Sequence, residues 1–101
     1  MVKSKVYDNT LYINIVGDLD EHNAVNVRKD IDNLIKYENY KQIIIDLSEL
    51  DFMDSTGIGV LIGRYKLVKD KGVPIFISSP NKQVDKIFSM TGIYNIMPKI
   101  A

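Results

Sequence analysis

Cysteine is absent from this 101-residue sequence, and histidine occurs once, as His22. The first absence excludes disulfides, thiolate zinc sites and thiol nucleophiles. An excess of either charge is also missing, since 13 basic residues balance 13 acidic ones. A neutral chain is poorly suited to bind nucleic acid by neutralising phosphates, and it offers no polybasic anchor for a membrane surface. No apolar run reaches the roughly 18 residues of a membrane span, and the N-terminal MVKSKVYDN lacks the apolar centre of a secretion signal. Repeats, low-complexity tracts and linkers are missing too. What remains is ordinary globular material, with 46% hydrophobic and 26% charged residues. A chain this long buries roughly 65% of its unfolded surface and needs no metal or disulfide to fold. The expectation is one cytoplasmic domain over residues 1–101, with no metal and no cofactor.

Periodicity divides the chain into elements. Lys3–Val16 reads as a hairpin, with Tyr7, Leu11, Ile13 and Ile15 at apolar positions and Asp8-Asn9 as its turn. Gly17-Asp18-Leu19-Asp20 breaks that pattern, and Asp20 is placed to cap a following helix. In that helix Ala24, Val27, Ile31, Leu34 and Ile35 recur at three- and four-residue steps, forming one buried stripe. QIIIDL (Gln42–Leu47) reads as a central parallel strand buried on both faces. A loop over Ser48–Asp54 leads to a second helix from Ser55 to Lys71, stopped by Gly72. VPIFIS (Val73–Ser78) is another strand. Ser79 then caps a third helix that starts at Pro80, points Val84, Ile87, Phe88 and Thr91 inward, and ends at Gly92. Ile93–Ile100 reads as a last short strand. The order β-β-α-β-α-β-α-β predicts an α/β (α+β) protein with helices packed on a mixed central sheet.

The second helix opens on Asp54-Ser55-Thr56-Gly57, and its start poses the functional question. A helix leaves its first N–H groups unpaired, and either Asp54 or Ser55 can cap them. Two hydroxyls and an acid exceed what one cap requires. Gly57 and Gly59 weaken a helix by about 1 kcal/mol each relative to alanine, which a fold tolerates where a backbone must approach something closely. On the helical projection Leu61, Ile62, Tyr65 and Val68 share a face with Ile58, while Val60 and Leu67 lie opposite, so Ile58 or Val60 is expected at the surface near the serine.

Catalytic readings fit the residues poorly. The acid-hydroxyl-glycine triplet of aspartic proteases is interrupted, because Thr56 separates Ser55 from Gly57. A nucleophilic Ser55 would need His22 as its base, and no oxyanion hole accompanies the pair. Gly57, Gly59 and Gly63 imitate a dinucleotide fingerprint and keep a nucleotide-binding module as an alternative. That motif follows a strand directly and is answered by an acid at the end of the next strand, whereas here a loop precedes it and Ser78-Ser79 ends the next strand. Gly59 and Gly63 read better as close-packing positions.

DFMDSTGIGVLIGRYK (Asp51–Lys66) resembles the signature of the STAS-domain anti-sigma factor antagonists, an acid, a phosphorylatable serine, Ser or Thr, and Gly-Leu/Ile-Gly. Asp54, Ser55, Thr56, Gly57, Ile58 and Gly59 supply that pattern, and Gly63-Arg64-Tyr65-Lys66 fits the sporulation branch. GDLDEHNA (Gly17–Ala24) matches the family's G-E-L-D loop, with Asp18 for the usual glutamate, and FSMTGIYNI (Phe88–Ile96) matches a later helix end. Family members continue into a C-terminal helix that this sequence does not include. The resemblance implies a STAS fold and a switch rather than an enzyme. Unmodified, such a protein binds an anti-sigma factor that is also a serine kinase carrying bound nucleotide, and thereby frees a sigma factor. Phosphorylation of the signature serine, here Ser55, abolishes binding, and a PP2C-type phosphatase restores it. The implied partner surface comprises Asp20, His22, Asp54, Ser55, Thr56, Gly57, Ile58 and Gly59. A stand-alone switch of the general-stress type is the alternative within the family.

Overall fold

Asp8 and Asn9 have φ of 51° and 62°, the left-handed pair of a type I′ turn that matches the twist of its strands. They join β1 (Val2–Tyr7) to an antiparallel β2 (Thr10–Ile15), as the hairpin reading expects. The computed structural model describes residues 1–101. After β2 come β3 (Gly17–Leu19), α1 (Ala24–Tyr37), β4 (Gln42–Asp46) and β5 (Leu50–Met53). The chain continues through α2 (Ser55–Val68), β6 (Ile75–Ser78) and α3 (Lys82–Thr91). The expected second helix therefore ends earlier as α-helix, with a 3-10 turn over Lys69–Lys71 leading to Gly72 at φ 73°. Gly72 is the stop that the sequence predicts.

β1, β2, β4 and β6 lie side by side in one sheet, with β2, β4 and β6 mutually parallel. Side chains alternate across a strand. Leu11, Ile13, Ile15, Ile43, Ile45, Ile75 and Ile77 accordingly share the face that the helices cover. The opposite face carries half-buried Tyr12, Asn14, Ile44, Asp46 and Phe76, so β4 is central without being buried on both sides. A core of 22 residues joins the covered face to Val27 and Ile31 of α1, Leu61 and Val68 of α2, and Val84 and Phe88 of α3. Leu34 and Ile87 sit at its margin, and Thr91 faces solvent while donating to the Ile87 carbonyl at 2.7 Å.

Other differences from the expected elements have local causes. Residues 48–54 are not all loop, because β5 pairs in parallel with β3 to make a second, two-stranded sheet. Asp20 is one turn too early to cap α1, whose cap position falls to Asn23. The Asp20 carboxylate instead accepts the N–H groups of His22 and Asn23 at 3.0 and 3.3 Å. Ser79 takes φ 56° in the bend after β6, and Asn81 caps α3 by accepting the Val84 N–H at 2.9 Å. Ile93–Asn95 is a 3-10 turn, and only a single parallel bridge, Ile77 to Lys99, remains of the expected last strand. Pro98 has no N–H to extend a ladder.

Candidate functional site

Parallel pairing of Leu19 with Met53 brings the ends of β3 and β5 together. The turn Asp20–Asn23 therefore lies against the start of α2, and Asp54 joins them. One oxygen of its carboxylate accepts the Gly57 N–H at 3.0 Å and caps α2. The other accepts the Glu21 N–H at 3.3 Å. Asp20 and Asn23 stiffen the facing turn by exchanging bonds, since Asn23 Oδ1 accepts the Asp20 N–H at 2.9 Å and Asn23 Nδ2 donates to the Asp18 carbonyl. With the capping duty assigned to Asp54, the Ser55 hydroxyl is not needed by the helix. Ser55 and Thr56 are both exposed at its first turn.

Gly57 explains why this corner holds its shape. A Cβ at that position would meet the Leu19 carbonyl at 2.3 Å and the Met53 side chain at 2.8 Å. Glycine alone lets α2 start against β3 and β5. Buried there, Gly57 has no surface to present, so it supports the exposed residues from beneath instead of joining a contact surface. Gly59 and Gly63 show the opposite situation. A Cβ on either would have nothing within 4 Å, so neither is a close-packing position within the chain. Gly59 is exposed and Ile58 is half-buried against the core, while Val60 is buried at 8% exposure, so of the two candidates it is Ile58 that keeps surface.

Asp20, His22, Asp54, Ser55, Thr56, Ile58 and Gly59 are thus gathered at one end of the molecule. His22 is exposed in the turn before α1, and no hydrogen bond links its ring to Ser55. The dinucleotide alternative gains a preceding strand, since β5 and not a loop runs into α2. It loses the anion position, because the Asp54 carboxylate already occupies the helix start where a pyrophosphate would sit.

Residues that sequence reasoning missed flank this cluster. Phe52 and Val25 are apolar yet 41% and 51% exposed. Between α1 and α2, beside Thr56, runs a groove of about 330 Å³ whose walls carry Arg28 and Arg64. Arg64 is 9% exposed and pairs its Nε with Asp32 at 2.8 Å, while its Nη1 is buried without an acceptor. Burial lowers its pKa, with Asp32 opposing that and the nearby Arg28 charge adding to it; a guanidinium remains protonated regardless. The signal was present in the periodicity. Arg64 falls on the inward stripe of Leu61 and Val68, where a charge requires a reason.

An α/β scaffold thus displays an exposed serine at a helix start, with the capping supplied by its neighbour Asp54 and an open groove beside it. The STAS domain family matches residues 1–101, and the chain belongs to that family. Within it, the chain is 34% identical to the anti-sigma F factor antagonist of Paenibacillus polymyxa, over 96% of this chain and 83% of that one. It is 30% identical to the anti-sigma-B factor antagonist of Bacillus subtilis (strain 168), over 95% and 86%. The structure of the anti-sigma factor antagonist SpoIIAA in its unphosphorylated form superposes with a TM-score of 0.82 at 25% identity, covering 100% of this chain and 89% of the other. The phosphorylated form of Bacillus SpoIIAA gives 0.76 at 25% identity, over 100% and 92%. Among these helices none is long and apolar enough to cross a membrane.

Proposed function

We propose that this chain, acting as one STAS domain in the cytoplasm, is a non-catalytic anti-sigma factor antagonist switched by phosphorylation of Ser55. The unmodified form binds an anti-sigma factor that is also a serine kinase, and so releases a sigma factor; the kinase uses its own bound nucleotide to modify Ser55, and a PP2C-type phosphatase reverses the step. The observation that carries this reading is Ser55 itself, exposed at the first position of α2 and freed from capping by Asp54. Asp20, His22, Thr56, Ile58 and Gly59 surround it and form the contact surface.

The physics of the switch is local. A phosphoserine adds about −1.5 to −2 charges. At a helix N-terminus that charge meets the positive end of the dipole, so α2 keeps its structure. Binding is lost at the interface, where Asp18, Asp20, Glu21 and Asp54 already make the surface acidic. On docking, a dianion there must be desolvated or meet the partner's carboxylates or bound nucleotide phosphates, and like charges set together across an interface cost several kcal/mol; about 2.8 kcal/mol is a hundredfold in affinity. The match of SpoIIAA in both phosphorylation states over the full chain supports a switch that works without refolding.

The test is to incubate the protein with an anti-sigma serine kinase and ATP and map the product by mass spectrometry. Phosphate is expected on Ser55. Ser55→Ala should bind and remain bound, and Ser55→Asp should bind at least tenfold more weakly. Phosphate on another residue, or a phosphorylated form that binds as firmly as the bare one, refutes the proposal. The likeness to the anti-sigma-B factor antagonist favours a second reading, the same switch in a general-stress pathway. Co-purification with kinases of the two types decides between them.

A further inference from the structure

We propose that the groove between α1 and α2 is a carboxylate-binding subsite, which takes an Asp or Glu side chain from the protein that docks at Ser55. This rests on the function proposed above and adds the chemistry of the docking segment. The groove begins at Thr56, one residue from the serine, and is continuous with the contact surface. Arg64 is nine-tenths buried in its wall, with Nη1 lacking any acceptor. A buried donor with no partner in its own chain is exceptional and calls for an explanation. Arg28 stands on the opposite helix, close enough to perturb Arg64.

Charge selects the ligand. Two guanidiniums and the Asp32 carboxylate leave the groove with one net positive charge. That matches a single carboxylate, which a guanidinium grips with two parallel hydrogen bonds. A dianionic phosphate fits less well, because one net positive charge leaves half of its charge unneutralised. Gly59 supplies an independent observation. It lines the same groove, and a Cβ there would touch nothing in this chain. Its missing side chain serves no internal packing, and it keeps the groove open for an incoming chain. The exposed Val25 provides an apolar lip against which the stem of an acidic side chain can lie.

The experiment measures binding of an anti-sigma serine kinase to the wild type, Arg28→Glu, Arg28→Lys and Gly59→Ala, with thermal unfolding of each. Arg28→Glu should lose at least tenfold in affinity at low salt, with the gap to wild type narrowing as salt rises. Arg28→Lys should lose less than half of that on a logarithmic scale. Gly59→Ala should unfold at a higher temperature than wild type and yet bind at least tenfold more weakly. Arg28→Glu binding within twofold of wild type, while Ser55→Asp still binds at least tenfold more weakly, overturns the subsite and leaves the proposed function intact. A wild type that binds no such kinase overturns both.

Discussion

Two glycines in one helix turn behave as opposites. Gly57 sits where a methyl group would overlap the Leu19 carbonyl, and backbone cannot move aside as a flexible side chain can. Gly57→Ala should therefore destabilise the protein by about 1–3 kcal/mol, the range for overpacking a filled site. Gly59→Ala, with open space around the added carbon, should stabilise it by up to about 1 kcal/mol through helix propensity. Urea titration of both variants checks the pair; equal signs for the two would show that the contact beneath Gly57 is misjudged. Spacing alone makes both residues look alike, because a glycine's neighbours lie on other elements. Arg64 teaches the same lesson in reverse, since its place on the inward stripe is visible in the sequence but its partner Asp32 on α1 is not.

Helices and long strands are legible because their patterns repeat. The type I′ hairpin, α1 with its buried stripe and the isoleucine-rich β4 all appear where periodicity puts them. β3 and β5 escape that reading for a physical reason. They are three and four residues long, carry Gly17, Asp18 and Asp51, and owe their form to pairing with each other. The site inherits the omission, because that pairing is what sets the Asp20 turn against Ser55. The cap of α2 is Asp54, one of its two expected candidates, while those of α1 and α3 lie two or three residues past the expected Asp20 and Ser79, as several residues near each helix start have side chains able to cap. Asn81 is the one that caps α3, and it also donates from Nδ2 to the Leu50 and Asp51 carbonyls at 3.3 Å. Asn81→Ala should cost about 1–2 kcal/mol and should loosen β5 as well as α3. Hydrogen exchange of the amides in residues 50–54 separates the two effects; unchanged protection there would confine Asn81 to its capping role.

At the scale of the whole molecule, a cluster near the C-terminus is expected to contribute to the response to pH. The Tyr94 hydroxyl donates to Asp85 Oδ1 at 2.6 Å, and Lys99 Nζ approaches the same oxygen at 3.0 Å. Those bonds, Tyr94's first, hold the Asp85 pKa below its ordinary value, while burial and the bond to Asp85 raise that of Tyr94. Asp85 therefore contributes stability above about pH 4, its ordinary range, which is lost as pH falls below that value. Tyr94 contributes stability below about pH 10, which is lost as pH climbs above it. Tyr94→Phe keeps the edge-to-face packing on Phe88 at 5.7 Å but removes the shared bond, so its melting temperature should vary less with pH at both extremes. Melting curves parallel to wild type across the whole range would show that the cluster does not govern the response. At the candidate site, Asp54 takes one N–H from the Asp20–Asn23 turn and one from the first turn of α2, and their mutual position is settled as the chain folds. A docking protein then gives up little entropy in arranging its target. The speed of encounter is left to diffusion and to the electric field around the loops, so charges placed well outside the contact can set how often partners meet without changing how long they stay.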